Sequence, residues 1–169
     1  LKQSGLKGRD ISDTAMPQSL SKILVHLVFS TKNREPWIHP SVEAELHAYM
    51  VGVLENMDCL PVQIGGVEDH VHVLFGLSRT QSVAEVVEKI KVSSSKWIKP
   101  KAAEFKIPLN GFQWQSGYGA FSVSQSDAEV VAKYIRGQRE HHRMMAFEDE
   151  YRKLLERFQI AYDERYVWD

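Results

Sequence analysis

The segment DHVHVLFGL, residues 69–77, constrains the fold more than any other stretch of the chain. Successive side chains of an extended backbone alternate between two faces. His70 and His72 therefore project to one side while Val71, Val73, Phe75 and Leu77 line the other. Such a strand needs an apolar layer against one face and a use for two imidazoles on the other. Residues 60–67 form a second short apolar run, separated from 70–77 by a Glu-Asp step after Gly65-Gly66, and the two predict a hairpin. Upstream, KILVHLVF (22–29) sets Ile23, Val25, Leu27 and Phe29 against Leu24, His26 and Val28, a strand covered on both faces.

Helical patterns separate these strands. After Pro36 and Pro40, Ser41 is placed to cap a helix with Val42, Leu46, Tyr49, Val53 and Leu54 on its apolar stripe, ending near 56–58. Ser82 and Glu85 form a capping-box pattern ahead of Val83, Val86, Val87 and Ile90, and Pro100 is the expected stop. WQSGYGAFSVS (114–124) reads as a further strand or irregular hairpin. Ser126 and Glu129 repeat the capping-box pattern, so one helix is expected through DAEVVAKYIRGQREHH, with another amphipathic helix over 146–158. This order predicts an α+β fold, a mainly antiparallel sheet with helices packed on it in a split β-α-β arrangement.

The chain has 169 residues, 43% hydrophobic and 25% charged, which suits one globular domain and excludes disorder or a coiled coil. Residues 1–15, without sustained periodicity, are expected to be a leader or disordered extension, with Met16 suited to initiation and 16–169 forming the single domain. No apolar run approaches the roughly 18 residues of a membrane helix, and a cytoplasmic protein is expected. Cys59 is the only cysteine, so an internal disulfide is impossible and a cysteine-based zinc site is not expected. With 21 Lys+Arg against 22 Asp+Glu the net charge is −1, so any surface for nucleic acid must be local. No G-x-x-x-x-G-K-[ST] loop is present, and no nucleotide cofactor is expected.

Two groups of residues carry chemistry. Neighbouring imidazoles on a strand suit divalent-metal ligation, although two need further oxygen or nitrogen donors, and the same spacing also fits a hydrogen-bonded pair at a surface. In KYIRGQ, Tyr134 and Gln138 are four residues apart and lie one above the other on a helix. The spacing equally fits a half-buried tyrosine beside Val131 and Ile135 with an exposed glutamine. Asp69 reads as a turn residue pointing away from His70; His142, four residues after Gln138, is within helical reach of a metal there but reads better as a solvated helix end. Tyr118, between glycines, stands behind Tyr134 as a nucleophile.

Together, DHVHVL (69–74) and YIRGQ (134–138), with the strand–helix order from about Ser21 to His142, resemble the single-tyrosine HUH transposases of insertion sequences and bacterial repeat elements. HUH denotes the histidine–hydrophobe–histidine motif. The resemblance implies Tyr134 as catalytic nucleophile, His70, His72 and Gln138 as ligands of Mg²⁺ or Mn²⁺, and a homodimer. It implies site-specific cleavage and joining of single-stranded DNA at hairpin-forming element ends, through a 5′-phosphotyrosine intermediate and a free 3′-hydroxyl. Lys91, Lys96, Arg136 and Arg139 are the expected DNA-phosphate contacts, with Trp97 or Trp114 for base stacking. Two other functions fit the same residues: a replication-initiator or relaxase-like nickase, and a non-catalytic regulator that binds DNA hairpins. The acidic, aromatic tail over 162–169 is expected to pack against the body or a partner.

Overall fold

A computed structural model describes residues 20–105 and 111–168; the leader expected over 1–15 lies outside the described residues. The elements run β1 (Leu24–Ser30), α1 (Pro40–Glu55), β2 (Leu60–Val67), β3 (His70–Gly76), α2 (Val83–Phe105), β4 (Gly119–Val123), α3 (Ala128–Arg136), α4 (Gln138–His141) and α5 (Phe147–Arg157). The strands form one sheet in the order β2-β3-β1-β4, and each neighbouring pair is antiparallel. β3 thus lies between β1 and β2, and β1 lies between β3 and β4, which is the split β-α-β arrangement expected from the element order.

Strand alternation divides the molecule into three layers. On one face Leu27, Phe29, Val71, Val73 and Phe75 pack against Val42, Leu46 and Met50 of α1 and Val86 and Ile90 of α2, forming the principal core. Each fully buried side chain of this size contributes about 1.5–3 kcal/mol relative to exposure. The opposite face carries two smaller clusters. Leu24 and Leu74 meet Ala132 and Ile135 of α3, while Val28 and Phe121 meet Phe147, Tyr151 and Leu155 of α5. His26, His70 and His72 lie on this second face of the sheet and are buried.

The caps of α1 and α3 and the stop of α2 differ from the sequence expectation. Helix α1 is capped by His39, whose Nδ1 accepts from the Ser41 amide at 3.2 Å; Pro40 then occupies the first turn, where its missing N–H costs nothing. The Ser82–Glu85 capping box forms as expected, with Glu85 accepting from the Ser82 amide and Ser82 Oγ from the Glu85 amide. At α3 the expected box does not form: Asp127 is the N-cap and makes no side-chain cap bond, while in the turn before it Ser124 Oγ accepts from the Asp127 amide and donates to its carboxylate. Pro100 does not stop α2, which continues to Phe105. Lys96 and Pro100 are both exposed, so the carbonyl that proline cannot serve lies on the solvent side.

The helix expected through 127–142 is broken at Gly137, where α3 gives way to the single turn of α4. The break occurs where α3 reaches β2. A Cβ on Gly65 would stand 3.1 Å from both the Ile135 carbonyl carbon and its Cγ2, and closer still to the carbonyl oxygen. The absence of a side chain at Gly65 lets the end of α3 rest directly on the sheet.

Candidate active site

The paired histidines of β3 are aimed by their inner nitrogens. Asp69, in the β2–β3 turn, places Oδ1 2.7 Å from His70 Nδ1. Its own carbonyl is pinned by the Thr31 amide at 2.8 Å and the Thr31 hydroxyl at 3.1 Å. His72 Nδ1 lies 2.9 Å from His26 Nε2 on the adjacent β1 strand. Holding one ring nitrogen in this way directs the other, so both Nε2 atoms face the same point beneath α4 and α5.

At that point Glu150, from the first turn of α5, enters the cluster and is buried. Its Oε2 lies 2.9 Å from His142 Nε2, 3.6 Å from His72 Nε2 and 3.8 Å from His70 Nε2. Its Oε1 accepts hydrogen bonds from the Tyr134 hydroxyl and from Gln138 Nε2, the latter at 2.9 Å. Gln138 Oε1 is 3.5 Å from His70 Nε2. Phe147, one turn before Glu150, stacks on His70 with ring centroids 4.4 Å apart, which fixes α5 over the histidines.

Burial sets the charge states. It lowers His26 and His72 well below the usual histidine range, reinforced by neighbouring imidazoles, and pulls His142 down to about 4. These rings are therefore neutral at pH 7, the form that donates a lone pair. Burial also pushes Glu150 up to about 7, against the lowering influence of His70. For Asp69 burial acts upward, but the hydrogen bond from His70 prevails and holds its carboxyl below the ordinary value.

His70, His72, His142 and Glu150 each offer a donor atom, and these atoms all lie within 4.8 Å of one another. The buried His72 Nε2 has no hydrogen-bond partner. An unpaired buried ring nitrogen costs about 1–3 kcal/mol, and three imidazoles beside one carboxylate suit a divalent first-row metal. The residues present fit such an ion.

The family model for the IS200-like transposases matches residues 19–138, which include the histidine pair, the tyrosine and the glutamine. The chain belongs to the IS200-like transposase family. It is a DNA-acting enzyme of the HUH type, with the nuclease and strand-transfer chemistry general to that family. Solved structures agree on the fold. A structure described as a transposase from Deinococcus radiodurans R1 is similar over 73% of this chain and 95% of its own, at 22% identity and a TM-score of 0.58. A repeat-associated (REP) tyrosine transposase bound to a REP hairpin is similar over 75% of this chain and 73% of its own, at 13% identity and a TM-score of 0.55. No curated protein sequence matches the chain. No helix among the described residues is long and apolar enough to cross a membrane.

In this transposase His70, His72, Tyr134 and Gln138 meet within one chain; the Tyr134 and His72 ring centroids are 5.8 Å apart. His26, which orients His72, was not foreseen from the sequence, and three further groups stand differently from their sequence reading. Asp69 is a turn residue as expected, but because it precedes the strand its side chain is free of the alternation and turns toward His70. His142, expected at a solvated helix end, is brought inward by the turn after Gly137. Glu150 had a legible signal: it lies three residues after Phe147 and four before Leu154, an acid on the apolar stripe of an amphipathic helix.

The expected DNA contacts divide into two pairs. Lys91 Nζ donates to the carbonyls of Gln115 and Gly117 at 2.9 and 2.6 Å, and burial pulls it down to about 8. Arg139 pairs with Glu68 and Glu43. Lys96 and Arg136 are exposed, Lys96 on the α1–α2 layer away from the histidines. Trp114 is buried, donating to Ser94 Oγ, and Trp97 stacks on Tyr49. Tyr118 lines a groove beside α2, apart from the cluster.

Proposed function

We propose that the protein nicks and rejoins single-stranded DNA at hairpin-forming ends, with Tyr134 as the covalent nucleophile. The observation that carries this reading is the single carboxylate of Glu150, one oxygen on the Tyr134 hydroxyl and the other facing three imidazoles. Tyr134 Oη forms a bond to the phosphorus of the target linkage. The P–O3′ bond breaks, and the departing 3′-oxygen takes up a proton. The result is a 5′-phosphotyrosine and a free 3′-hydroxyl, so later joining needs no nucleotide hydrolysis.

An ordinary tyrosine has a pKa near 10, so its proton needs an acceptor. Glu150 Oε1 already accepts the phenolic hydrogen and is placed to take it. His70, His72 and Gln138 would hold Mg²⁺ or Mn²⁺, with His142 and Glu150 Oε2 completing the donor set. When bound, the ion polarises the target phosphate. Asp69 and His26 orient the two β3 histidines. Arg136 remains free to meet phosphates near the site, whereas Lys96, on the far layer, could meet only more distant ones.

The test is incubation of wild-type and Tyr134→Phe protein with single-stranded DNA carrying element ends and Mn²⁺. A denaturant-resistant protein–DNA adduct is expected with the wild type alone. The same adduct with the variant would exclude Tyr134 as nucleophile. Binding without reaction by both proteins on a verified substrate would favour a hairpin-binding regulator.

A further inference from the structure

A cleft of about 540 Å³ opens between α3 and α5 and runs down to Tyr134 and Glu150. Its walls are Val123 of β4, Val130 and Val131 of α3, and Leu154 and Phe158 at the end of α5. Val130 is 68% exposed and leaves its apolar side chain open at the cleft. Asp127 closes one end, its carboxylate already engaged by Ser124. The volume lies within the range of small-ligand pockets and exceeds what one aromatic ring needs.

Two cations stand at the opening. Lys153 and Arg157 are one turn apart on α5, both exposed. Neither has a carboxylate partner among the described residues. The Lys153 ammonium lies 3.6 Å from the Met145 sulfur and close enough to His141 to disfavour its protonation, and the Arg157 guanidinium lies 5.9 Å from the Phe158 ring. Most other basic groups near the site are already neutralised, as with Arg139 and its two glutamates. An apolar slot, a reactive hydroxyl at its floor and two uncommitted cations at its mouth match one ligand chemistry: a flat, uncharged ring attached to a charged phosphodiester chain.

We propose that this cleft receives an unstacked nucleobase of the strand being cut, while Lys153 and Arg157 contact the phosphates beside it. The inference rests on the single-strand reading above and extends it to a site of base capture. The apolar walls stack on the face of any base, and Ser122, Asp127 and His141, which also line the cleft, are the groups able to bias the choice by hydrogen bonding. Seating one base beside Tyr134 would hold the adjoining phosphate against the hydroxyl, the positional restraint that nucleophilic attack requires.

The test measures binding of a thymidine dodecamer and of an abasic dodecamer with the same phosphates, in EDTA so that no cleavage occurs. Cys59 is buried at 2% exposure, so a Val130→Cys thiol can be alkylated selectively, and the same protein before labelling reports on folding. Alkylation with N-ethylmaleimide is expected to weaken thymidine binding about tenfold, within the range for one stacked base, and to leave abasic binding unchanged. The thymidine dodecamer is expected to slow alkylation, the abasic one not. A Lys153→Ala/Arg157→Ala double variant should weaken both probes and reduce the slope of log affinity against log salt by about 1.4, as two lost phosphate contacts require. The inference is overturned if wild type binds the thymidine dodecamer while alkylation changes neither probe or both equally, or if the salt slope is unaltered. Failure of wild type to bind the thymidine dodecamer at all would overturn this inference alone, since the single-strand reading stands or falls on adduct formation at element ends.

Discussion

A methyl group added at Gly65 tests whether the contact between α3 and β2 sets the site. In Gly65→Ala the new Cβ meets the backbone of Ile135, which cannot rotate aside as a side chain would. Ordinary contact begins at 3.4 Å, so the end of α3 must retreat by about 1 Å. Overpacking of this kind costs about 1–3 kcal/mol. A domain of this size loses about 2–4 °C in Tm per kcal/mol, giving an expected drop of about 2–12 °C by calorimetry. The larger effect falls on chemistry, because Tyr134 precedes Ile135 and Gln138 follows three residues later. A displacement near 1 Å at a nucleophile costs on the order of 10²-fold in rate, to be read as initial adduct formation on single-stranded DNA at a temperature where both proteins are folded. Gly52→Ala in α1 is the control, since a Cβ there meets nothing within 4 Å; it should gain about 0.5–1 kcal/mol and keep its rate. Unchanged Tm and rate in Gly65→Ala would refute the claim that this approach positions the tyrosine.

Other expectations follow from the same geometry. Asp69→Asn weakens the acceptor that orients His70 and should lower Mn²⁺ affinity about 10–100-fold by titration calorimetry, with the fold unchanged by circular dichroism. If the reacting groups act within one chain, mixing Tyr134→Phe with His72→Ala protein should yield no adduct; restored activity would show exchange of the tyrosine helix between copies. Burial lowers His47 in α1 to about 4, and its Nε2 is a buried nitrogen without a partner. Between pH 6.5 and about 4 the unfolded chain holds this proton and the folded protein does not, so stability falls as pH falls through that window. The loss is about 3 kcal/mol and is complete near pH 4. His47→Leu should therefore narrow the Tm difference between pH 7 and pH 4 by about 6–12 °C; an unchanged difference would place the acid sensitivity elsewhere.

Much of the site was legible because its first elements obey short-range periodicity. Alternation placed His70 and His72 together, and one helical turn brought Tyr134 and Gln138 into register even though Gly137 interrupts the helix between them. What escaped depends on contacts distant in sequence. His26 acts through a neighbouring strand 46 residues away, and Glu150 through a helix whose docking depends on Phe147, Tyr151 and Leu155. His142 turns inward after the break at Gly137, an event that no capping pattern announces. The misplaced cap of α1 has a local cause: His39 takes the role expected of Ser41 because it stands where the chain first turns into the helix.

The two faces of the sheet are held very differently, and this has a bearing on motion. α1 and α2 share one continuous apolar mass, whereas α3 and α5 are fastened by separate patches on either side of a polar seam of imidazoles. Breaking either patch exposes little oil to water, so the front of the molecule opens without unfolding its back. Amide exchange should find α3 and α5 released by small excursions while α1 waits for global unfolding. The molecule thus mounts a hinge-like front on a stiff frame.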